Sequence, residues 1–157
     1  MENNFKYKIT RSKIIATIEY VEDNYKNYFI GDRNISTLIN NILIGKLGEV
    51  AYFNIFYENI KYSLMWEERP NGYDFVLSDG TKVDVKTIDK KWKKRVYFKF
   101  GDFYDFDELA LISLSKKCKG TYLGSISKEE AIKNKKFDLK NRAYYVDVDL
   151  FKIKNLG

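Results

Sequence analysis

The chain has 157 residues, with 28 Lys and Arg against 22 Asp and Glu, a net charge of +6 and no histidine, which excludes histidine acid–base chemistry and metal sites built on imidazole. A single cysteine, Cys118, excludes an intrachain disulfide and fits a cytosolic location. The start MENNFKYKIT lacks the apolar run of a secretory signal, and no window approaches the ~18 apolar residues of a membrane span, so an intracellular protein without a membrane partner is expected.

The basic excess, together with 13 Tyr and 11 Phe, suits a polyanionic partner, and it equally suits a lysine-rich solvated surface. In chain order, residues 10–28 space Ile14, Ile18, Val21 and Tyr25 at three and four, an amphipathic helix with Thr10 or Ser12 as cap and Gly31 as stop. Ser36 or Thr37 opens a second helix to about Tyr57, with Leu43, Leu47, Val50, Asn54 and Tyr57 on one broad face and Glu49 beside it. Pro70, the sole proline, breaks any continuing helix and leads into a strand over 73–77.

The SDG tripeptide turns the chain into a second strand over 81–88. There Val83, Val85 and Thr87 face one way and Asp84, Lys86 and Ile88 the other. The basic segment DKKWKKR follows, then VYFKF as a third strand, a loop DFYDFDEL, and LALISLS as a further strand ending in the lysine-rich KKCKG. TYLGSI reads as a short strand, and SKEEAIKNKKF as a short helix whose Ser127 and Glu130 form a capping box. AYYVDVDLFKI holds a last strand core. No linker or repeat divides the chain, so a single α/β domain over 1–157, with its core at about 10–150, is expected.

The hairpin proposes a site. Asp84 and Lys86 leave one face of a strand about 6.6 Å apart, and a register centred on Asp79 sets Asp74 opposite Asp84. Two facing carboxylates repel unless a proton or cation joins them. With Glu49 arriving from the preceding helix, the three acids and the Val85 carbonyl suit one or two hard divalent ions. Lys86 then orients or deprotonates the attacking water, its pKa set by burial pulling down against carboxylates pulling up. The plain alternative is a solvated sheet face with a cross-strand ion pair, and for Glu49 an ordinary i,i+3 surface pair with Lys46.

Glu49 in GKLGEVAYF, Asp74 in NGYDFVL, and Asp84 with Lys86 in KVDVKTI together resemble the PD-(D/E)xK nuclease superfamily, the restriction-endonuclease-like fold. The resemblance covers about 37–115, with Tyr73 standing where the family name has proline. It implies a central mixed sheet of four to five strands flanked by helices. It also implies a magnesium-dependent endonuclease acting on DNA, with manganese as substitute, metal held by Glu49, Asp74, Asp84 and the Val85 carbonyl, and Lys86 serving the nucleophile. Junction-resolving, restriction-like and mobile-element enzymes of this size share the pattern, and RNA is not excluded. Cutting two strands would call for a homodimer, because one site cuts one strand at a time.

Beyond the second strand, Lys90, Lys91, Lys93, Lys94 and Arg95 surround Trp92, a set suited to phosphates with one stacking ring. The lysines around Lys116 and Lys133 are expected to solvate the opposite side. Tyr52, Tyr57 and Tyr62 read as core or interface residues, and Cys118, without a histidine, as structural or incidental. Two rivals use the same charge without catalysis: a silent nucleic-acid-binding module that keeps the fold, and a basic interaction protein such as an inhibitor of another nucleic-acid enzyme.

Overall fold

A computed structural model describes residues 5–28, 34–67, 72–90 and 92–154. Gly31, Pro70 and Lys91, to which the sequence assigned a helix stop, a breaker and a phosphate contact, lie outside those residues. Strand β1 (Lys6–Lys8) leads into helix α1 (Arg11–Asn24), whose Thr10 hydroxyl accepts the Lys13 amide at 3.4 Å. A 3-10 turn, Tyr25–Asn27, follows the helix. Helix α2 (Ile35–Ile55) is capped by Asn34, not by Ser36 or Thr37, because the Asn34 carboxamide accepts the Thr37 amide at 2.8 Å and draws both hydroxyl residues into the first turn.

The remaining elements are β2 (Ile60–Ser63), β3 (Phe75–Leu77), β4 (Lys82–Ile88), β5 (Arg95–Phe98), β6 (Glu108–Leu114), β7 (Lys119–Ser127), α3 (Lys128–Asn134), β8 (Lys136–Asp138) and β9 (Ala143–Asp147). The Ser127 hydroxyl caps α3 by accepting the Glu130 amide at 3.1 Å, as the capping-box spacing requires.

The architecture is α/β with a large mixed sheet, and the strand count departs from expectation. Among the described residues one sheet holds six strands in the order β1-β7-β6-β4-β3-β2, not four or five, and a second sheet holds β5-β9-β8. The third predicted strand, β5, therefore leaves the central sheet and pairs with β9, so the chain between β4 and β6 crosses over through the small sheet. Within the large sheet β4 and β6 run parallel, and the other neighbours run antiparallel. Both strands consequently release their C-terminal loops at one edge of the sheet, the arrangement in which open α/β sheets place ligands.

Alternation along β4 sorts the core. Val83 and Val85 join Leu47, Val50, Ala51 and Tyr52 of α2 on one face of the large sheet. Ile88 joins Leu109 and Leu111 of β6, with Val96 and Phe98 of β5, on the other. Tyr52 is a core residue, as predicted, stacked 5.3 Å from Phe75. Tyr57 and Tyr62 are not; they stand 66% and 47% exposed, because the 3-10 turn Tyr57–Asn59 and the edge strand β2 turn them outward.

Candidate active site

Helix α2 lies unusually close to the sheet at Gly48, where an added Cβ would fall 1.8 Å from the Thr87 hydroxyl oxygen of β4. That absence of a side chain lets the helix settle onto the sheet and brings the next residue, Glu49, to the end of β3. The β3–β4 hairpin has the register expected from SDG: Phe75 pairs Val83 and Val76 pairs Lys82, a ladder centred on Asp79 with Gly80 at φ +89° in the turn. The ladder stops at Phe75. Asp74 lies just outside it, its amide donating to the Val83 carbonyl at 2.8 Å and its carbonyl accepting from Leu64 at 2.8 Å.

Ending β3 there opens a fork in the sheet, and the Asp74 side chain occupies it. Its carboxylate accepts the Val85 amide at 2.8 Å, so the Val85 carbonyl, which leaves a strand on the same side as its own amide, faces the same gap. Glu49 reaches the fork from the α2 face, whereas Asp84 and Lys86 reach it from the opposite face. Asp74 lies between them, and its carboxyl feels the charge of Glu49 on one side and of Asp84 on the other. Lys86 Nζ lies 3.1 Å from Asp84 Oδ2, with side-chain exposures of 30% and 19% where the fork opens to solvent.

A second lysine completes the group, one that spacing alone treats as a surface residue. Lys46 Nζ pairs Glu49 Oε1 at 3.2 Å, as the i,i+3 spacing allows, and it also donates to the Met65 carbonyl. Both residues of the pair are buried, Lys46 at 8% exposure and Glu49 at 7%, so the ion pair is not the solvated one the sequence offered as the plain alternative. No feature of the sequence separates this buried pair from a solvated one, since the i,i+3 spacing is the same in both.

The electrostatics follow from the count of charges. Three carboxylates share the fork with two ammonium groups, leaving one negative charge uncompensated. Burial, reinforced by the Glu49 charge and only partly offset by the Val85 amide, pushes the Asp74 carboxyl up to about 8. Burial likewise pushes Asp84 up to about 7, against the pull of Lys86 and with the help of Asp74. Glu49 is raised by burial despite Lys46. For Lys86, burial pulls downward, but Asp84, Asp74 and Glu49 together outweigh it, and the amine is held as an ammonium above its ordinary range.

Among the described residues, no group of three or more His, Cys, Asp and Glu side chains is set around a common ligating point. The donors nonetheless fit a hard divalent cation in kind: all are oxygens, one carbonyl faces the same gap, and the acids are held above their ordinary range by burial and by one another. Glu49, Asp74, Asp84 and the Val85 carbonyl are the residues that would hold such an ion.

A cleft of about 550 Å³ runs from Lys86, Thr87 and Ile88 to Trp92, Lys93, Lys94 and Arg95, linking the fork to the basic loop. A smaller one of about 360 Å³, lined by Tyr28, Lys46, Glu49, Tyr73 and Asp74, opens on the other side of the fork. Within the loop, Trp92 is 71% exposed with Lys90 Nζ 5.3 Å from its ring centre. Lys93 is tied to Asp89 at 2.5 Å, and Arg95 is tied to Asp138 at 3.4 Å while lying 4.4 Å from the Tyr145 ring centre. Lys90, Trp92 and Lys94 are thus the side chains freer to meet a ligand. No family model matches the chain, and no curated protein matches it.

Proposed function

We propose that the chain is a metal-dependent endonuclease that hydrolyses phosphodiester bonds in DNA, by a restriction-endonuclease-like arrangement in which Glu49, Asp74, Asp84 and Lys86 form the reactive centre. The observation that carries this reading is the meeting of three mutually repelling acids at the fork, with Asp74 anchored by the Val85 amide at 2.8 Å, Lys46 3.2 Å from Glu49 and Lys86 3.1 Å from Asp84. A solvated sheet face gives no reason to gather one buried and two half-buried acids at one gap, since each costs desolvation. A site for a hard cation does.

Magnesium or manganese bound there would supply Lewis-acid polarisation of the phosphoryl oxygen and a more acidic water. The protein's own contribution is positional and electrostatic. Asp74 and Asp84 set two carboxylates at the gap, and the Val85 amide holds the Asp74 carboxylate in place through one of its oxygens. Lys86, held as an ammonium, is suited to orient a nucleophilic water and to offset negative charge developing on phosphorus; as long as Asp84 stays ionised beside it, it is not the proton acceptor. The cleft leading from Lys86 to Lys94 gives the scissile strand a cationic path to the centre.

Incubation of wild type and Lys86→Ala with plasmid, linear, single-stranded and four-way-junction DNA, and with RNA, each with magnesium or EDTA, tests this. Metal-dependent cleavage lost in Lys86→Ala is expected, and the products identify the preferred substrate and whether a dimer cutting two strands is needed. If wild type cleaves none of these substrates with either magnesium or manganese, the hydrolytic reading falls. The second reading, a silent nucleic-acid-binding protein, is favoured by one observation: Lys46 and Lys86 already neutralise two of the three acids.

A further inference from the structure

The parallel pairing of β4 with β6 has a consequence for the basic surface. Ile88 at the end of β4 pairs Ser113, Ser113 pairs Thr121 of β7, and Thr121 pairs Lys6 of β1. Residues paired in one row across a sheet point to one face, and Ile88 shares its face with Asp84 and Lys86. Lys6 therefore stands on the same face as the catalytic lysine, about 14 Å across from Ile88 at three strand spacings. The loop after β4 and the turn between β6 and β7 also emerge side by side. This corrects the placement of Lys116, which the sequence assigned to the opposite side.

A third cleft, of about 600 Å³, occupies that corner and is lined by Lys6, Lys90, Lys116 and Lys119, with Trp92, Ser113 and Thr121 among its walls. Its one carboxylate, Asp89, is already bound by Lys93 at 2.5 Å. Among the described residues no carboxylate pairs with any of the four lysines. Trp92 lines this cleft and the one that starts at Lys86, so the exposed indole forms the ridge between them. Four unneutralised ammonium groups along one face, continued past an exposed ring into a path that ends at Lys86, match a polyanion with regularly spaced charges and flat stacking groups.

We propose that this third cleft binds the phosphodiester backbone of the nucleic-acid strand running away from the scissile position, with Lys6, Lys116 and Lys119 on its phosphates and Trp92 stacked on an unpaired base. The proposal rests on the nucleic-acid reading given above, but not on hydrolysis. The 14 Å breadth corresponds to about four nucleotides at the ~3.4 Å rise of a duplex strand. Because stacking on Trp92 requires a base freed from its partner, a single-stranded or frayed flank is preferred over an intact duplex.

The test measures binding without cleavage, using Asp84→Asn protein in EDTA and a fluorescein-labelled oligothymidylate between about 50 and 200 mM salt. Adding Lys116→Ala and Lys119→Ala is expected to weaken binding by about tenfold at the low-salt end. The same pair should reduce the slope of log affinity against log salt by about 1.4, at ~0.7 for each single-strand phosphate that the protein ceases to neutralise. Lys133→Ala with Lys140→Ala, two exposed lysines lining neither cleft, is the control and should change the slope little. Equal losses in the two pairs, or no binding by the parent protein, overturn the proposal. A slope change confined to the cleft pair, in a protein whose wild type cleaves nothing, would retain this cleft and remove the nuclease.

Discussion

The charge imbalance at the fork predicts how stability responds to pH without metal. In the unfolded chain Asp74 and Asp84 ionise near the ordinary 3.8, whereas in the folded protein burial holds them at about 8 and about 7. Between pH 5 and pH 7 the folded state therefore retains protons that the unfolded state has lost, and stability falls as pH rises. Each retained proton is worth about 1.4 kcal/mol per pH unit. The two acids titrate as a coupled pair with Glu49, Lys46 and Lys86 around them, and Asp84 is partly solvated, so a combined slope on the order of 1 kcal/mol per unit is expected.

Urea unfolding in EDTA at pH 5, 6 and 7 reads this slope, and Asp74→Asn should flatten most of it. Manganese should raise stability by an increment that grows with pH, since metal and protons compete for the same oxygens. Asp138, held down to about 2 chiefly by the Tyr97 hydroxyl, acts in the opposite sense, but its contribution is lost only as pH falls below 3.8 and so lies outside the window. EDTA-treated protein whose stability is flat or rising from pH 5 to pH 7 would refute the raised pKa values of the clustered acids.

Three substitutions probe the same construction. Gly48→Ala places a Cβ 1.8 Å from Thr87 Oγ1 and should destabilise by about 1–3 kcal/mol in urea titrations, while displacing Glu49 enough to lower cleavage. Lys46→Met leaves Glu49 buried without its partner and should cost about 3 kcal/mol at pH 7, less at pH 5 where Glu49 can take up a proton, measured by thermal unfolding at both. Lys86→Ala should reduce cleavage by at least ~10²-fold while leaving oligonucleotide affinity within a few fold, because a group stabilising developing charge acts mainly on the transition state.

Local chemistry made much of this site legible. SDG fixes the hairpin register through Asp79 and Gly80, and alternation along β4 separates Val83 and Val85 from Asp84 and Lys86 without knowledge of any partner strand. The missed strands β1, β2 and β8 are three or four residues long, KYK, IKYS and KFD, and sit largely exposed at sheet edges, so they carry no apolar run for periodicity to detect. Strand β5 was visible as a strand, but VYFKF contains nothing that decides between two sheets; that choice is made by packing of Val96 and Phe98 against Phe106, Leu109 and Val146. Lys46 was invisible for a similar reason. An i,i+3 pair looks the same in a sequence whether water or protein covers it.

The position of the cluster explains why a fold would tolerate it. Were Asp74 a regular member of β3, its side chain would be confined to one face of a paired strand and would meet either Glu49 or Asp84, but not both. Because the ladder stops at Phe75 and the Asp74 amide shifts to the Val83 carbonyl, the carboxylate turns edgewise into the fork and is anchored by the Val85 amide. The backbone group that a continuing β3 would have paired is thus satisfied by a side chain, and the sheet can end there without an orphaned donor. Lys46 and Lys86 border that ending, each paired with one acid, Glu49 and Asp84, and each also drawn to the Asp74 charge. Acids are what the two lysines require, and the excess acid is what a divalent ion requires. Replacing Asp74 by Leu would therefore leave Lys46 and Lys86 with fewer partners, whereas Asp74→Asn keeps an oxygen to accept the Val85 amide. The Asp74→Asn protein should be the more stable of the two at pH 7 in EDTA, and equal stabilities would show that the anchoring hydrogen bond contributes nothing.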